Sequence, residues 1–195
     1  QKGDTDAEIG YGFILINHGA FQEGKGMRKF PKTGSLWLES AASKNSAEAA
    51  YYLGGLYRYG NSYNVDDDEV VHVDMDKALK WYVFAAEKGE GNDEAAGNAA
   101  RELASMYEKG DGVPQDSALT KKWYLVAAEK GNPDGLDFVA NQEANNQGKM
   151  DELLTVEIAG RNRSLEDPSL KQLAAKCVEG DQNACSDLEN QKPDA

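Results

Sequence analysis

Residues for nucleophile-and-base chemistry are scarce in this chain. It has two histidines, His18 and His72, and two cysteines, Cys177 and Cys185. The histidines are far apart, and neither neighbours a serine, a cysteine or a metal-type cluster, so no catalytic or zinc-ligand spacing can be traced. His18 reads as a structural cap near a helix end. Gly24-Lys25-Gly26 lacks the rest of a phosphate-cradling loop. Acidic side chains number 34, so pairs of them carry no information about general acid–base work. No catalytic residue, no metal site and no cofactor is expected.

Long apolar runs are also missing. The strongest is Phe13-Ile14-Leu15-Ile16, whereas a membrane-spanning helix needs roughly 20 such residues. Basic charge is short, with 21 lysines and arginines leaving a net charge of −13 over 195 residues. Such a surface repels nucleic acid and anionic lipid and favours a basic partner; the same charge also serves solubility. Apolar residues at 40% and charged ones at 28% fit a folded chain with a sizeable core rather than disorder. The chain starts at Gln1 rather than Met, which fits a mature exported product or one whose signal was removed.

What the chain has in abundance is self-similarity. Trp81-Tyr82-Val83-Phe84-Ala85-Ala86-Glu87-Lys88-Gly89 returns 42 residues later as Trp123-Tyr124-Leu125-Val126-Ala127-Ala128-Glu129-Lys130-Gly131, with seven of nine residues identical. A weaker copy, Trp37 to Asn45, has Asn in the glycine slot. Asn is the next-best residue for the left-handed turn that ends a helix. A second unit precedes each copy: Ala50 to Gly60 matches Ala100 to Gly110 in Ala, Leu, a small residue, Tyr and a closing Gly. Ala50, Leu53, Gly54 and Tyr57 fall at i, i+3, i+4 and i+7, one face of a helix. Each repeat is thus helix A, a turn and helix B. In the third repeat the turn is Asp111 to Asp116, and Asp116 or Ser117 caps the next helix.

These residues resemble the Sel1-like repeat family, relatives of the tetratricopeptide repeat. Its pattern runs Ala-x-x-Leu-Gly-x-x-Tyr-x-x-Gly, a Gly-Val-x-x-Asp turn, then Ala-x-x-Trp-Tyr-x-x-Ala-Ala-x-x-Gly. Gly112-Val113-Pro114-Gln115-Asp116 and Ala78-Leu79-Lys80-Trp81-Tyr82 carry it most closely. The resemblance implies an all-α, α/α superhelical solenoid. It suggests a single repeat domain over 1–195: a weak first repeat at 6–45, a second at 46–90 with an inserted loop at 61–74, a third at 91–131, and degenerate C-terminal repeats and a cap over 132–195. Helix A of the first repeat is expected from Gly10 to Gly19 and helix B from Ser35 to Lys44. In the last part, Leu154, Ile158, Ala159 and Asn162 take the Trp, Ala, Ala and Gly slots of a degenerate helix B. Trp81 and Trp123 are expected to anchor adjacent B helices in the core. Cys177 and Cys185 flank a helix–turn–helix junction, as in the cysteine-rich secreted branch of the family, which implies a disulfide; two buried free thiols are the alternative.

Two departures from the pattern, an insertion and a set of aromatics, point to a contact surface, and a third is a long basic connection. The second repeat has 21 residues from Gly60 to Trp81 against 13 from Gly110 to Trp123. This insertion carries Asp66, Asp67, Asp68 and Glu69, which lack EF-hand spacing and read as a solvated or partner-contacting acidic loop. The connection from Ala20 to Gly34 carries Lys25, Arg28, Lys29 and Lys32, a basic patch that faces solvent or pairs with that loop. Solvent is the expectation. At helix A slots off the core face, repeat three has Arg101, Glu102, Ser105, Glu108 and Lys109, plain surface residues. Repeat two has Tyr51, Tyr52, Gly55, Arg58 and Tyr59 there. Tyrosine and arginine are common hot-spot residues, so Tyr51, Tyr52, Arg58 and Tyr59 join the acidic loop as candidate partner-binding residues. The alternative is that the tyrosines pack on repeat one or seat the insertion.

The resemblance implies a non-enzymatic protein-binding module, periplasmic or secreted. The expected partner is another protein with a basic surface, and an inhibitor or immunity protein against a secreted toxic effector is the leading form. A periplasmic scaffold or signalling adaptor is the alternative. A cell-wall or β-lactam hydrolase is a further one, for which no nucleophile with a base is present.

Overall fold

A computed structural model describes residues 2–22, 24, 26–61, 65–87, 93–159 and 168–190. The chain divides into two compact units, 1–138 and 139–195, where the sequence reading draws one domain.

The first unit stacks three helix pairs: α1 (Lys2–Asn17) with α2 (Pro31–Ser43), α3 (Ala47–Tyr59) with α4 (Met75–Glu87), and α5 (Asp93–Lys109) with α6 (Ser117–Glu129). α1 starts earlier than Gly10, the expected beginning of the first helix A. Each A helix packs on its own B helix, and each B helix on the next A helix. Small residues permit the approach. A Cβ on Gly12 would stand 2.9 Å from the Gly34 carbonyl oxygen, and one on Gly34 would stand 2.8 Å from that of Gly12, so α1 and α2 touch backbone to backbone. Ala41, Ala42, Ala49, Ala50, Ala85, Ala99, Ala100 and Ala127 continue this close packing around Leu38, Leu53, Leu103 and Met106.

The stops and starts follow from local chemistry. The Asp116 side chain accepts from the N–H groups of Ala118 and Leu119, both at 2.9 Å, and so satisfies two orphan donors of α6. Ser46 does the same for α3 through the Ala49 N–H. Gly60, Gly110 and Gly131 close their helices at positive φ, and Asn45 fills the same role at φ 65°. It is the one non-glycine at positive φ among the described residues, as the repeat pattern requires of that slot.

Part of the Ala20–Gly34 connection is a hairpin, β1 (Ala20–Gln22) antiparallel to β2 (Gly26–Arg28). Its three-residue strands are the only sheet among the described residues.

A long helix, α7 (Pro133–Ala159), follows. Leu154, Ile158 and Ala159 thus continue a helix begun at Pro133 instead of forming a separate helix B, and Asn162 lies outside the described residues. In the second unit α8 (Pro168–Val178) packs on α9 (Gln182–Asn190). Cys177 and Cys185 are disulfide-bonded across that junction. The Asp181 side chain caps α9 through the Asn183 and Ala184 N–H groups.

Candidate partner-binding groove

The A helices of the first two repeats line an open groove of about 310 Å³, bounded by Phe13, Ile16 and Asn17 of α1, by Tyr51, Tyr52, Gly55, Leu56 and Tyr59 of α3, and by Gly60, Asn61, Tyr82 and Glu102. Its aromatic rings form a series. Phe13 meets Tyr52 with centroids 5.1 Å apart, Tyr52 meets Tyr51 at 5.7 Å, and Tyr51 meets Tyr82 at 6.1 Å. Tyr51 and Tyr52 are half-buried, whereas Tyr59 is 67% exposed. Such rings give large contact area at low entropic cost. Burial raises the pKa of the Tyr51 and Tyr52 hydroxyls. The Glu102 charge adds to this at Tyr51, and the charge and hydrogen bond of Glu48 add to it at Tyr52. Both stay protonated donors at neutral pH.

Tyr82 lies at the base of the groove because α3 leaves room for it. Its ring is 1% exposed. A Cβ on Gly54 would stand 2.5 Å from Tyr82 Cδ1. Repeat three has Ala104 in the Gly54 slot, and there the equivalent Tyr124 is half-buried and stacks on Phe138 with centroids 4.6 Å apart.

Arg58 belongs to the interior and is a correction to its placement on the outer face. It is 9% exposed. Its Nη1 donates to Glu102 Oε2 at 2.5 Å and its Nη2 to Asp111 Oδ2 at 2.8 Å. Burial works against this charge, but the Asp111 hydrogen bond and the nearby Tyr59 and Glu102 outweigh it and raise the pKa. Glu102 also accepts from Arg101. Glu102 and Ser105 are likewise buried, not plain surface residues. The reason is lateral: α3 and α5 pack side by side, so slots pointing away from a repeat's own B helix meet the next A helix.

The acidic insertion is docked, and this overturns the expectation that the basic patch faces solvent. Arg28 Nη2 donates to Asp66 Oδ1 and to the Val65 carbonyl, both at 2.9 Å. Lys32 Nζ donates to the Asp68 carbonyl at 2.6 Å, and Lys29 and Val65 form a backbone bridge. Phe30, the residue before α2, supplies no side-chain cap. Glu69 supplies one from the next repeat: its Oε2 accepts from the Thr33 N–H at 3.0 Å and its Oε1 from the Thr33 hydroxyl at 2.6 Å. A carboxylate at a helix N-terminus satisfies an orphan donor and complements the helix dipole. Asp67 lies in the 3₁₀ turn Asp67–Glu69, and the Asp68 side chain is exposed. The structure therefore brings Tyr51, Tyr52 and Tyr59 together in the groove, while Asp66, Asp67, Asp68 and Glu69 sit in a separate clasp. Lys25 and residues 62–64 lie outside the described residues.

Of the two tryptophans expected to anchor B helices, Trp123 is 4% exposed, whereas Trp81 is only half-buried and edges an open groove with Tyr57 and Phe84. Tyr82, its neighbour, takes the fully buried role in repeat two. The sequence reading also missed Phe13, Asn17 and Asn61. In the sequence Phe13 stands out only as part of an apolar run, and its signal lies in alignment: buried Gly12 and Gly54 are equivalent, which sets Phe13 in the slot of Gly55.

Among the described residues no group of three His, Cys, Asp or Glu could hold a metal ion. No helix among them is long and apolar enough to cross a membrane.

Comparison with known proteins agrees with this architecture. The Sel1 repeat model matches residues 47–90 and 97–132. No curated protein matches the chain. Among solved structures, a Sel1 repeat protein from Oxalobacter formigenes is 27% identical, with a TM-score of 0.49 over 66% of this chain and 83% of that one. The protective antigen c5321, present in uropathogenic Escherichia coli strains and displaying an SLR fold, is 21% identical, with a TM-score of 0.51 over 97% of this chain. The match spans 41% of c5321, so the likeness concerns fold alone. Helix pairs at this spacing, the closing Gly and Asn residues, and the family match lead to one conclusion: this chain carries Sel1 repeats, at residues 47–90 and 97–132.

Proposed function

We propose that the chain is a non-enzymatic protein-binding module whose partner docks in the aromatic groove between α1 and α3. The observation that carries this reading is the groove itself, an accessible surface with Phe13, Tyr51, Tyr52 and Tyr59 along it. Sel1 repeats are protein-interaction modules. Tyr51, Tyr52 and Tyr59 are the contact residues. Arg58, Asp66 and Glu69 serve the fold instead, through the partners described above. The net charge of −13 favours a partner with a basic surface and speeds capture by steering. The Cys177–Cys185 disulfide supports an oxidising compartment, periplasmic or extracellular. In that setting the chain acts as an inhibitor or immunity protein that covers a secreted effector; an envelope scaffold or adaptor uses the same groove and differs in leaving its partner active.

The test is affinity capture from the source organism followed by kinetics on the purified pair. Tyr52→Ala and Tyr59→Ala should each raise the dissociation rate about 5- to 30-fold, the range of a hot-spot residue, with helicity unchanged. Affinity that survives both substitutions while the melting temperature falls would make the tyrosines structural and end the proposal. Loss of the partner's activity on binding selects the inhibitor reading, and an active complex selects the scaffold. Turnover of cell-wall or β-lactam substrates by the purified chain would overturn the non-enzymatic reading.

A further inference from the structure

We infer that the groove reads a cationic side chain at one end: its occupant is an extended segment of the partner that sets a lysine or arginine against Asp6, Glu48 and Glu94 and an apolar or aromatic side chain between Tyr52 and Tyr59. This inference rests on the groove being the docking site proposed above.

A smaller pocket of about 260 Å³, lined by Asp6, Ile9, Gly10, Phe13, Glu48 and Tyr52, shares Phe13 and Tyr52 with the aromatic groove, so the two are continuous. Asp6 and Glu48 stand in the same repeat slot, each six residues before the buried glycine of its helix, Gly12 or Gly54. Glu94, in the first turn of α5, is near enough to the Tyr52 hydroxyl to raise its pKa, after burial, Glu48 and Tyr51. Two carboxylates, Asp6 and Glu48, thus line the end of an aromatic groove, and the charge of Glu94 reaches Tyr52.

Several other acids of this unit are held in ion pairs. Glu8 pairs with Lys44, Asp66 with Arg28, Glu102 with Arg58 and Arg101, and Asp93 with Lys130. Among the described residues, neither Asp6 nor Glu94 is in an ion pair with any lysine or arginine. Helix-dipole stabilisation accounts for acids in a first turn, which covers Glu48 and Glu94. It does not account for Asp6, since the first-turn acid of α1 is Asp4. A cation there gains both the carboxylates and the faces of Phe13 and Tyr52. The span fixes the spacing. From Glu48 to Tyr59 is 11 residues of helix, about 16 Å at 1.5 Å per residue, which about five residues of extended chain cover.

The experiment uses a phage-displayed library of random nonapeptides, selected on the full chain and on two variants: Tyr59→Ala, and the triple Asp6→Asn/Glu48→Gln/Glu94→Gln. Peptides enriched on the full chain and lost on Tyr59→Ala should carry Lys or Arg about four to five residues from an aromatic or aliphatic side chain. In a synthetic copy of the best peptide, citrulline in place of arginine should weaken binding about tenfold, the scale of one ion pair with one cation–π contact. That tenfold effect should vanish on the triple variant. Groove-dependent peptides with no basic enrichment, or a citrulline copy that binds equally well to the full chain, would overturn the cation reading and leave the groove standing. If Tyr59→Ala retains every selected peptide, the groove itself is refuted. Should the triple variant unfold, the citrulline comparison on the full chain still decides.

Discussion

Adding one methyl group at Gly54 sets two effects against each other, and the structure says which wins. Gly54 lies inside α3 at an ordinary helical position, so alanine there gains about 0.5–1 kcal/mol in helix propensity. The added Cβ would stand 2.5 Å from Tyr82 Cδ1 and 2.6 Å from Cε1, more than 1 Å inside a normal carbon–carbon contact. Tyr82 has little room to retreat, being 1% exposed and part of the same buried cluster as Leu53, Ala85 and Leu103. Overpacking of this kind costs about 1–3 kcal/mol, and rigid ring atoms place it at the upper end. Gly54→Ala should therefore destabilise by about 2 kcal/mol net, lowering the melting temperature by about 4–8 °C. Urea titration followed by far-ultraviolet circular dichroism measures it. A double-mutant cycle sharpens the claim: Tyr82→Ala should cost less in the Gly54→Ala background than alone, because the two residues contest one volume. Ala104→Gly, in the equivalent slot of repeat three, should lose the propensity difference and the burial of one methyl group, about 1–2 kcal/mol together. A Gly54→Ala protein as stable as the parent, or more so, would refute the socket.

Three further outcomes are expected. Arg58→Met leaves Glu102 buried with Arg101 as its remaining partner, and should cost about 3 kcal/mol; a loss under about 1 kcal/mol in a urea titration would show that the network is solvated. Reduction of Cys177–Cys185, which closes an eight-residue separation, should destabilise the α8–α9 pair by about 2.5 kcal/mol in the chain-entropy relation. Hydrogen exchange should then quicken across 168–190, and unchanged exchange after full reduction would refute it. Stability should fall as pH rises through about 10, the ordinary tyrosine range. Burial, first among the causes, raises the hydroxyl pKa of Tyr82 most, and also those of Tyr51, Tyr52, Tyr57 and Tyr124. The unfolded chain therefore loses these protons first, and the stabilisation, complete below pH 10, is lost above it. Tyr82→Phe should flatten that alkaline limb; a slope unchanged from the parent in pH-dependent denaturation would contradict the assignment.

The helix pairs were legible because their signals are local. A closing Gly or Asn, an Asp cap and an i, i+3, i+4, i+7 face each lie within one or two turns of chain, so Asn45, Asp116 and the Ala50–Leu53–Gly54 face read directly. Arg58 was not legible, since its burial depends on Glu102 and Asp111, 44 and 53 residues away. Comparing repeats slot by slot sets Arg58 against Glu108, but a difference marks either a contact surface or a private internal partner. The tyrosines illustrate the same ambiguity: Tyr82 and Tyr124 occupy one slot, and only the residue opposite, Gly54 or Ala104, decides which ring is enclosed.

The two long departures from the repeat, the connection after α1 and the insertion after α3, are one feature. Opposite charges made pairing conceivable, but only helix geometry decides whether they meet, and here each lacks something that the other holds. α2 begins without a side-chain cap, and Glu69 provides it. The hairpin carries Arg28, and Val65 and Asp66 accept from it. α1 packs broadly on α2 and only slightly on α3, which leaves the groove between the two A helices open. At its end the Asn61 side chain, at the root of the insertion, donates to the Ile16 carbonyl at 3.1 Å and holds the last turn of α1 near the start of the loop. The acidic residues thus clasp the insertion onto the first repeat, apart from the groove. On the proposed reading, an incoming cation meets the aromatic rings beside Asp6 and Glu48, which line the adjoining pocket.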